Sequence, residues 1–448
     1  MNPRRTAIAI SIAALLAACA GMPAHKDSTL RADLAQTATG APRLPGAGEP
    51  YPDAAWFAET LTPERAVQTA LLNNPLVRAE LARLDIAQAE RIQAGLLGNP
   101  MLKTMALRPE GGGRWELDYS LMQSLYDVFT RSRRVAVADA AQQRVESEVL
   151  LRLVTLTQDV ESAYYAAIAA KSRQELLAAQ IDIDHRRLLW LQRQASQGTV
   201  SVATPLQQEA DLAMREHGLG EAQAASATAM AGLSKLLGTS STAPIHLPGQ
   251  LPEFVLAGFD ENQLQRLALA RRPELRANEA GIAQAQAEKS LQSGALRNTE
   301  PSAGVAGMRG MGGDMSQQGV AIDLALPVFD TGRARRELAD AQIRQAQSLA
   351  LAQSRQVPLE VEQSLALLQA RQIAFHHAQH HLSQQQQLLS LAERGYRAGL
   401  SDLSARLSAE SNLIEAELQL LDAHSALWES GVALERATGL AIADAVPP

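Results

Sequence analysis

Cysteine, aromatic residues and long apolar runs are scarce in this chain of 448 residues. Its single cysteine excludes an intramolecular disulfide bond, so stability has to come from packing and assembly. Aromatic residues make up only 4% of the sequence, while Ala, Leu, Gln, Glu and Arg dominate it, which is typical of long helices and coiled coils. The net charge of −7 argues against nucleic acid as a partner.

Sequence motifs for catalysis are also missing. The chain has no phosphate-binding glycine loop, no nucleophile elbow and no HExxH zinc motif, so we expect no enzymatic activity, no catalytic residue, no cofactor and no resident metal. A cluster of four histidines, which could hold a metal ion through its two i,i+4 pairs, is more simply interpreted as a polar helix face. Its members are His376, His377, His380 and His381.

The one cysteine, Cys19, follows a short segment with the features of an export signal. Two arginines precede an apolar run over residues 7–16, which is shorter than the roughly 20 residues needed to span a bilayer. The tetrapeptide Leu-Ala-Ala-Cys resembles the lipobox of bacterial lipoproteins, and Ala20 after it resembles an outer-membrane sorting signal. We therefore predict a lipoprotein signal peptide at residues 1–18 and lipidation of Cys19. An ordinary signal peptide with an incidental cysteine is the alternative.

The rest of the chain contains an internal duplication. Pro75 matches Pro273, 198 positions later, and Gly198 matches Gly399, 201 positions later. The element order around these residues is also the same in both halves. The predicted segments, in chain order, are a leader at 19–60, a first repeat at 61–240, a linker at 241–258, a second repeat at 259–440 and a tail at 441–448.

Each repeat is predicted to contain the same elements. Two helices come first, then a β-hairpin, then a long helix that turns sharply at a glycine and returns as a shorter helix. The hairpins are expected at about 101–122 and 302–326, and the turns near Gly198 and Gly399. Apolar residues spaced by seven in the second long helix favour left-handed supercoils. Thr204 and Ser401 are the expected N-caps of the returning helices.

The predicted strands alternate between apolar and polar residues. Leu117 and Leu121 alternate with Asp118 and Ser120, and the second hairpin shows the same pattern over residues 319–326. One apolar and one polar face per strand suit a transmembrane β-barrel, and also a soluble, half-buried hairpin. Four strands cannot close a barrel, and an open edge cannot lie in lipid. A membrane-spanning arrangement therefore needs several chains, with two giving eight strands and three giving twelve.

Four short segments carry a resemblance to a known family. They are Leu61-Thr62 through Asn74-Pro75, Gln93-Ala94-Gly95-Leu96, Leu326 to Arg333, and Arg394 to Ser401. Each motif alone is weak, but their order, the duplication and the lipobox together are specific. The chain is similar to the TolC-like outer-membrane efflux family, and within it to the outer-membrane factor lipoproteins of tripartite, RND-type efflux systems.

This resemblance implies a mainly α-helical fold with a small β part. Duplicated coiled-coil helical hairpins would form an α-barrel, and four transmembrane strands per chain would complete a 12-stranded barrel in a homotrimer. The protein would be lipid-anchored in the outer membrane, extend into the periplasm and contact outer-membrane lipid. It would export small toxic compounds or metal ions together with a periplasmic adaptor and an inner-membrane pump. From the residues alone, a periplasmic coiled-coil adaptor or scaffold remains the alternative.

The resemblance also implies roles for the two helical turns. They would be the tip that docks the adaptor, although plain helix C-caps also explain their glycines. Family members carry constriction-forming aspartates six and nine positions after the second tip glycine, where this chain has Ala405 and Ser408. Asp402 and Arg406 are therefore the candidates for a charged constriction. The predicted tip residues are Gln197, Gly198, Thr199, Val200, Ala398, Gly399, Leu400 and Ser401.

Overall fold

The fold was described from a computed structural model, which covers residues 43–46, 59–108, 110–239, 245–254, 260–310 and 316–440. The predicted signal peptide and Cys19 lie outside these residues. The described part is mainly α-helical with one small sheet, as predicted. In chain order the elements are α1 (Pro63–Asn73), α2 (Pro75–Gly95), β1 (Met101–Leu107), β2 (Glu116–Ser124), α3 (Leu125–Ser196), α4 (Ala203–Leu237), α5 (Glu261–Arg271), α6 (Pro273–Gln292), a 3-10 turn (Ala295–Asn298), β3 (Ser302–Gly310), β4 (Ser316–Asp323), α7 (Arg333–Arg397) and α8 (Leu403–Thr438).

Caps and prolines set the boundaries of the short helices. The Thr62 side chain accepts a hydrogen bond from the Arg65 backbone N–H over 3.3 Å, and Pro63 follows as the first residue of α1. Helices α1 and α5 end just before Pro75 and Pro273, because the residue before proline avoids helical angles. None of the described helices combines the length and apolar character that a membrane-spanning helix needs.

The four strands form one antiparallel sheet in the order β1-β2-β3-β4. Each repeat supplies one hairpin, and the pairing of β2 with β3 joins them. Leu121 lies opposite Val305, which in turn lies opposite Val320, so the apolar rows predicted for the two hairpins share one face. On the other face Ser120 is followed across the sheet by Ala306 and Gly319. The sheet therefore has one predominantly apolar face.

Side-chain hydrogen bonds join the start of the first repeat, at the end of α1, to the end of α4. The Asn73 side chain donates hydrogen bonds to the carbonyls of Leu237 and Gly238, at 3.0 and 2.8 Å. Asn74 donates similarly to Leu236 over 2.9 Å. Gly238, with φ of 68°, forms the left-handed C-cap of α4.

The second repeat repeats this arrangement with other side chains. Helix α8 also ends in a left-handed glycine, Gly439, and packs against α5 near Arg272. Arg272 is buried and forms an ion pair with Glu360 over 2.5 Å. The same backbone relation in both repeats supports their origin by duplication.

The described residues form two compact units. The first, here called the sheet unit, consists of Leu81–Val149 and Arg276–Ala350, and the second, the hairpin unit, of the described parts of Ser28–Glu80, Leu150–Leu275 and Leu351–Pro448. Each unit draws on both repeats, so the structural units do not coincide with the sequence repeats.

The hairpin unit has a core in which the predicted seven-residue spacing is visible. Val361 and Leu368 of α7 are fully buried and belong to one cluster with Leu427 of α8. An aromatic group completes the packing: Tyr165 and Trp428 stack with their ring centroids 4.0 Å apart, and the Trp428 indole N–H donates to the Pro252 carbonyl over 3.0 Å. The described part of the linker is thereby attached to α8.

Candidate functional site

The turn after α3 is closed by backbone hydrogen bonds around a left-handed glycine. Gly198 has φ of 75° and donates from its N–H to the Ala195 carbonyl over 3.1 Å. The Thr199 N–H donates to the Gln194 carbonyl over 3.0 Å, and this pair of bonds defines a Schellman motif.

The turn after α7 has the same geometry. Gly399 has φ of 70° and donates to Tyr396 over 3.0 Å, while Leu400 donates to Gly395 over 2.9 Å. A Cβ atom added to either tip glycine would meet nothing within 4 Å, so the backbone angle and not lack of space requires glycine. The Leu400 side chain is 86% exposed, and Val202 and Leu206, which follow the first turn, are exposed as well.

The returning helices begin differently from the prediction. The Asp402 carboxylate accepts a hydrogen bond from the Ala405 N–H over 2.9 Å, so Asp402 and not Ser401 caps α8. Helix α4 begins at Ala203, whose N–H donates to the Ser201 hydroxyl over 3.3 Å, so Thr204 is not a cap. Both expectations were wrong: α4 begins without a capping side chain, and at α8 the turn selects Asp402 over the adjacent Ser401.

A second candidate residue, Arg406, belongs to an ion-pair group behind the tips. Glu410 of α8 accepts from Arg406 over 2.8 Å and from Arg186 of α3 over 2.7 Å, and its side chain is only 13% exposed. The Arg406 guanidinium also lies over the Tyr396 ring, 5.8 Å from its centroid. Sequence reasoning missed Glu410 and Arg186, although the i,i+4 spacing of Arg406 and Glu410 was a usable signal.

Further polar contacts extend this group, here called the polar layer. Asp184 of α3 has a side chain only 1% exposed and pairs with the Arg215 guanidinium over 3.3 Å. The Gln180 amide donates to Ser411 over 2.9 Å and to Asp184 over 3.2 Å. Ser408, which stands at a family aspartate position, accepts from Arg187 over 3.5 Å. The polar layer therefore connects helices of the first repeat with α8 of the second.

The sheet exposes its apolar face. Val320 is 81% exposed, and Leu102, Leu121, Val305 and Ile322 are exposed as well. Among the described strands, β1 and β4 each pair on one side only, which leaves two open edges. The opposite face carries Lys103 and Asp118.

The histidine cluster lies in the middle of α7. His376, His377 and His380 are exposed and His381 is half-buried. No group of three or more metal-binding side chains converges among the described residues. The features that stand out among the described residues are turns, ion pairs and surfaces.

Comparison with known proteins is consistent with these features. Residues 264–440 match a family described as outer membrane efflux protein. The chain is 27% identical to the protein CyaE of Bordetella pertussis over 317 residues, which is 65% of either chain. It is 25% identical to the pyoverdine export outer membrane protein OpmQ of Pseudomonas aeruginosa over 464 residues, covering 96% of this chain and 95% of OpmQ.

A solved structure shares the fold. The outer-membrane channel OprN superposes with a TM-score of 0.68 at 20% identity, covering 84% of this chain and 89% of that one. The similarity therefore extends over most of the described elements.

Proposed function

Because residues 264–440 match the outer membrane efflux protein family, we propose that the chain forms the outer-membrane channel of a tripartite efflux pump. It would export small toxic compounds or metal ions without catalysing a reaction. The observation that carries this proposal is the four-stranded antiparallel sheet, which has an exposed apolar face and two open edges.

The open edges support assembly into a closed barrel. Strands β1 and β4 run in opposite directions, so β4 of one copy can pair in antiparallel fashion with β1 of the next. Closure removes every free backbone donor and acceptor, which a sheet in lipid requires. Three copies would give twelve strands, with the face of Val305 and Val320 towards lipid and the face of Asp118 towards the lumen.

The tips are the proposed docking surface for a periplasmic adaptor, which would connect the channel to an inner-membrane pump. Both turns have hydrogen-bonded backbones, and apolar side chains such as Leu400 are exposed there. The glycines leave the backbone accessible, so a partner can approach closely. Acylation of Cys19 would add a lipid anchor in the outer membrane, with the helical hairpins extending into the periplasm.

The polar layer is the proposed constriction. Arg406 supplies a positive charge there, which the ion pair with Glu410 neutralises. The Asp402 carboxylate already accepts a hydrogen bond as the N-cap of α8. Glu410 and Asp184 are the carboxylates of this layer and would take the place of the two aspartates expected from the family.

The test is the assembly state and conductance of the full chain purified in detergent. We expect a mass of three chains and discrete single-channel currents in a planar lipid bilayer. A stable monomer with its β content intact and no conductance would contradict the proposal and favour the periplasmic scaffold. Currents from a dimer would support a channel but exclude the trimeric barrel.

A further inference from the structure

We propose that His376 and His380 form a binding site for a divalent transition-metal ion of the borderline class, such as Cu²⁺, Ni²⁺ or Zn²⁺. The site would use two imidazoles of the chain and complete its coordination with water. It does not depend on the proposed channel function, since it needs only the long helix α7.

The helix holds the two imidazoles at chelating distance. Residues four apart lie on the same face of an α-helix, with Cβ atoms about 5–6 Å apart. This spacing is the one with which two histidines of a helix hold zinc in the HExxH motif. Helix α7 runs without interruption from Arg333 to Arg397, so His376 and His380 lie several turns from either end. Both side chains are exposed and accessible to an ion in solution.

A hydrogen bond to a neighbouring glutamine fixes the tautomer of His376 that can bind a metal ion. The His376 Nδ1 lies 3.3 Å from Oε1 of Gln379. A glutamine side-chain oxygen only accepts hydrogen bonds, so Nδ1 carries the proton and Nε2 keeps its lone pair for an ion. Metal-binding histidines commonly have their other nitrogen fixed by such a hydrogen bond.

The second i,i+4 pair, His377 and His381, is less suited to bind an ion. The Gln385 side-chain nitrogen lies 3.1 Å from Nε2 of His381, and because an amide nitrogen only donates, its N–H occupies the lone pair of Nε2. The proton of His381 is then on Nδ1, so neither of its nitrogens is available. The hydrogen bonds therefore distinguish two pairs that the sequence spacing alone makes equivalent.

The donor set determines the class of ion. Neutral imidazole nitrogens prefer Cu²⁺, Ni²⁺ and Zn²⁺, whereas Mg²⁺ and Ca²⁺ prefer oxygen ligands. No Asp or Glu occurs in α7 between Glu362 and Glu393, so its own sequence offers no carboxylate beside the pair. Of the divalent ions, Cu²⁺ should bind most tightly, as the general order of first-row metals predicts.

The experiment is calorimetric titration of the full chain, purified in detergent without an affinity tag, with Cu²⁺, Ni²⁺ and Mg²⁺ as separate probes. We expect one Cu²⁺ or Ni²⁺ bound per chain and no binding of Mg²⁺. The double variant His376→Gln with His380→Gln should weaken Cu²⁺ binding at least tenfold. Circular dichroism should show unchanged helix content, because both side chains are exposed.

Two control variants locate the site. His185→Gln with His217→Gln removes two other exposed imidazoles, each lying 3.5 Å from a glutamate, and should leave the affinity unchanged. The double variant His377→Gln with His381→Gln should change the affinity for Cu²⁺ by less than threefold. Unchanged Cu²⁺ binding in the His376/His380 variant would overturn the proposal, as would an equal loss in either control or equally tight binding of Mg²⁺.

Discussion

Gly238 shows how a single residue holds the two ends of the first repeat together. Its φ of 68° lies in the left-handed region, and a Cβ atom placed on it would come within 2.7 Å of the Asn73 carbonyl oxygen and of the Asn74 Cα. The close approach allows the Asn73 side chain to reach the carbonyls at the end of α4. Both the backbone angle and the space therefore require glycine.

We expect Gly238→Ala to lower the free energy of unfolding by more than about 1 kcal/mol, because the strained angle alone costs that much and the clash with backbone adds to it. The matched control is Gly220→Ala within α4, where an added Cβ meets nothing within 4 Å. That change should stabilise the helix by about 0.5–1 kcal/mol. Thermal unfolding of both variants measures the difference, and similar melting temperatures would contradict this account.

Tyr164 makes the hairpin unit sensitive to alkaline pH. Its hydroxyl donates to the Leu61 carbonyl over 2.8 Å, and burial, assisted by Glu64, raises its pKa to about 12 from 10.0. In the unfolded chain the phenol ionises near 10, whereas in the folded chain it stays protonated. The unfolded state therefore binds fewer protons between these values, and stability falls as the pH rises.

We expect this one group to lower the free energy of unfolding by about 1.4 kcal/mol per pH unit between pH 10 and about 12. Tyr164→Phe should remove that part of the slope, at a cost at lower pH of about 1 kcal/mol for the lost hydrogen bond. Denaturant titrations at a series of pH values measure the slope. An identical slope in the variant would show that Tyr164 is not responsible.

At the scale of the strands, successive residues lie on opposite faces of the sheet, so the same substitution should have different effects at neighbouring positions. Val305 lies between Leu121 and Val320 on the apolar face, whereas Ala306 lies between Ser120 and Gly319 on the other. If the apolar face contacts lipid, Val305→Arg should cost about 2–4 kcal/mol near the bilayer centre. Ala306→Arg on the opposite face should be tolerated better. The amount of assembled protein in the outer membrane is the measurement, and equal levels for the two variants would argue against a lipid-facing surface.

At the scale of the helical hairpins, the tip variants separate folding from docking. Gly399→Trp forces a side chain into a left-handed conformation, which costs about 1 kcal/mol or more, although its Cβ atom would meet nothing within 4 Å. Leu400→Asp places a charge on the exposed apolar position. We expect both variants to assemble normally in the outer membrane but to support no export. Normal export at normal abundance would exclude this turn as the docking surface, and Leu400→Met serves as the control that keeps an apolar tip.

At the scale of the whole molecule, the proposed lipidation and the proposed assembly would be two independent attachments to the membrane. Cys19→Ser should abolish labelling by radioactive palmitate. The protein should nevertheless remain in the membrane fraction, because the assembled strands would hold it there. Absence of label in the unaltered protein would refute lipidation of Cys19. Release of the serine variant into the soluble fraction would instead show that the strands do not anchor it.

Local sequence signals were enough to predict the elements and their repetition, because those depend on neighbouring residues. Prolines at 75 and 273 end short helices, alternation with a period of two marks the strands, and the glycines at 198 and 399 mark the left-handed turns. Each of these signals acts within a few residues. The element order could therefore be read directly from the chain, and residues 264–440 match the efflux family that this order resembles.

Which distant residues meet became known from the three-dimensional structure alone. The pairing of β2 with β3 joins strands from different repeats, and Arg186 reaches Glu410 although 224 positions separate them. Local periodicity contains no information about such partners, since many arginines and glutamates have equivalent spacing. For the same reason, the choice of Asp402 over Ser401 as a cap and the difference between the two histidine pairs depended on side-chain hydrogen bonds that form only once the backbone is in place.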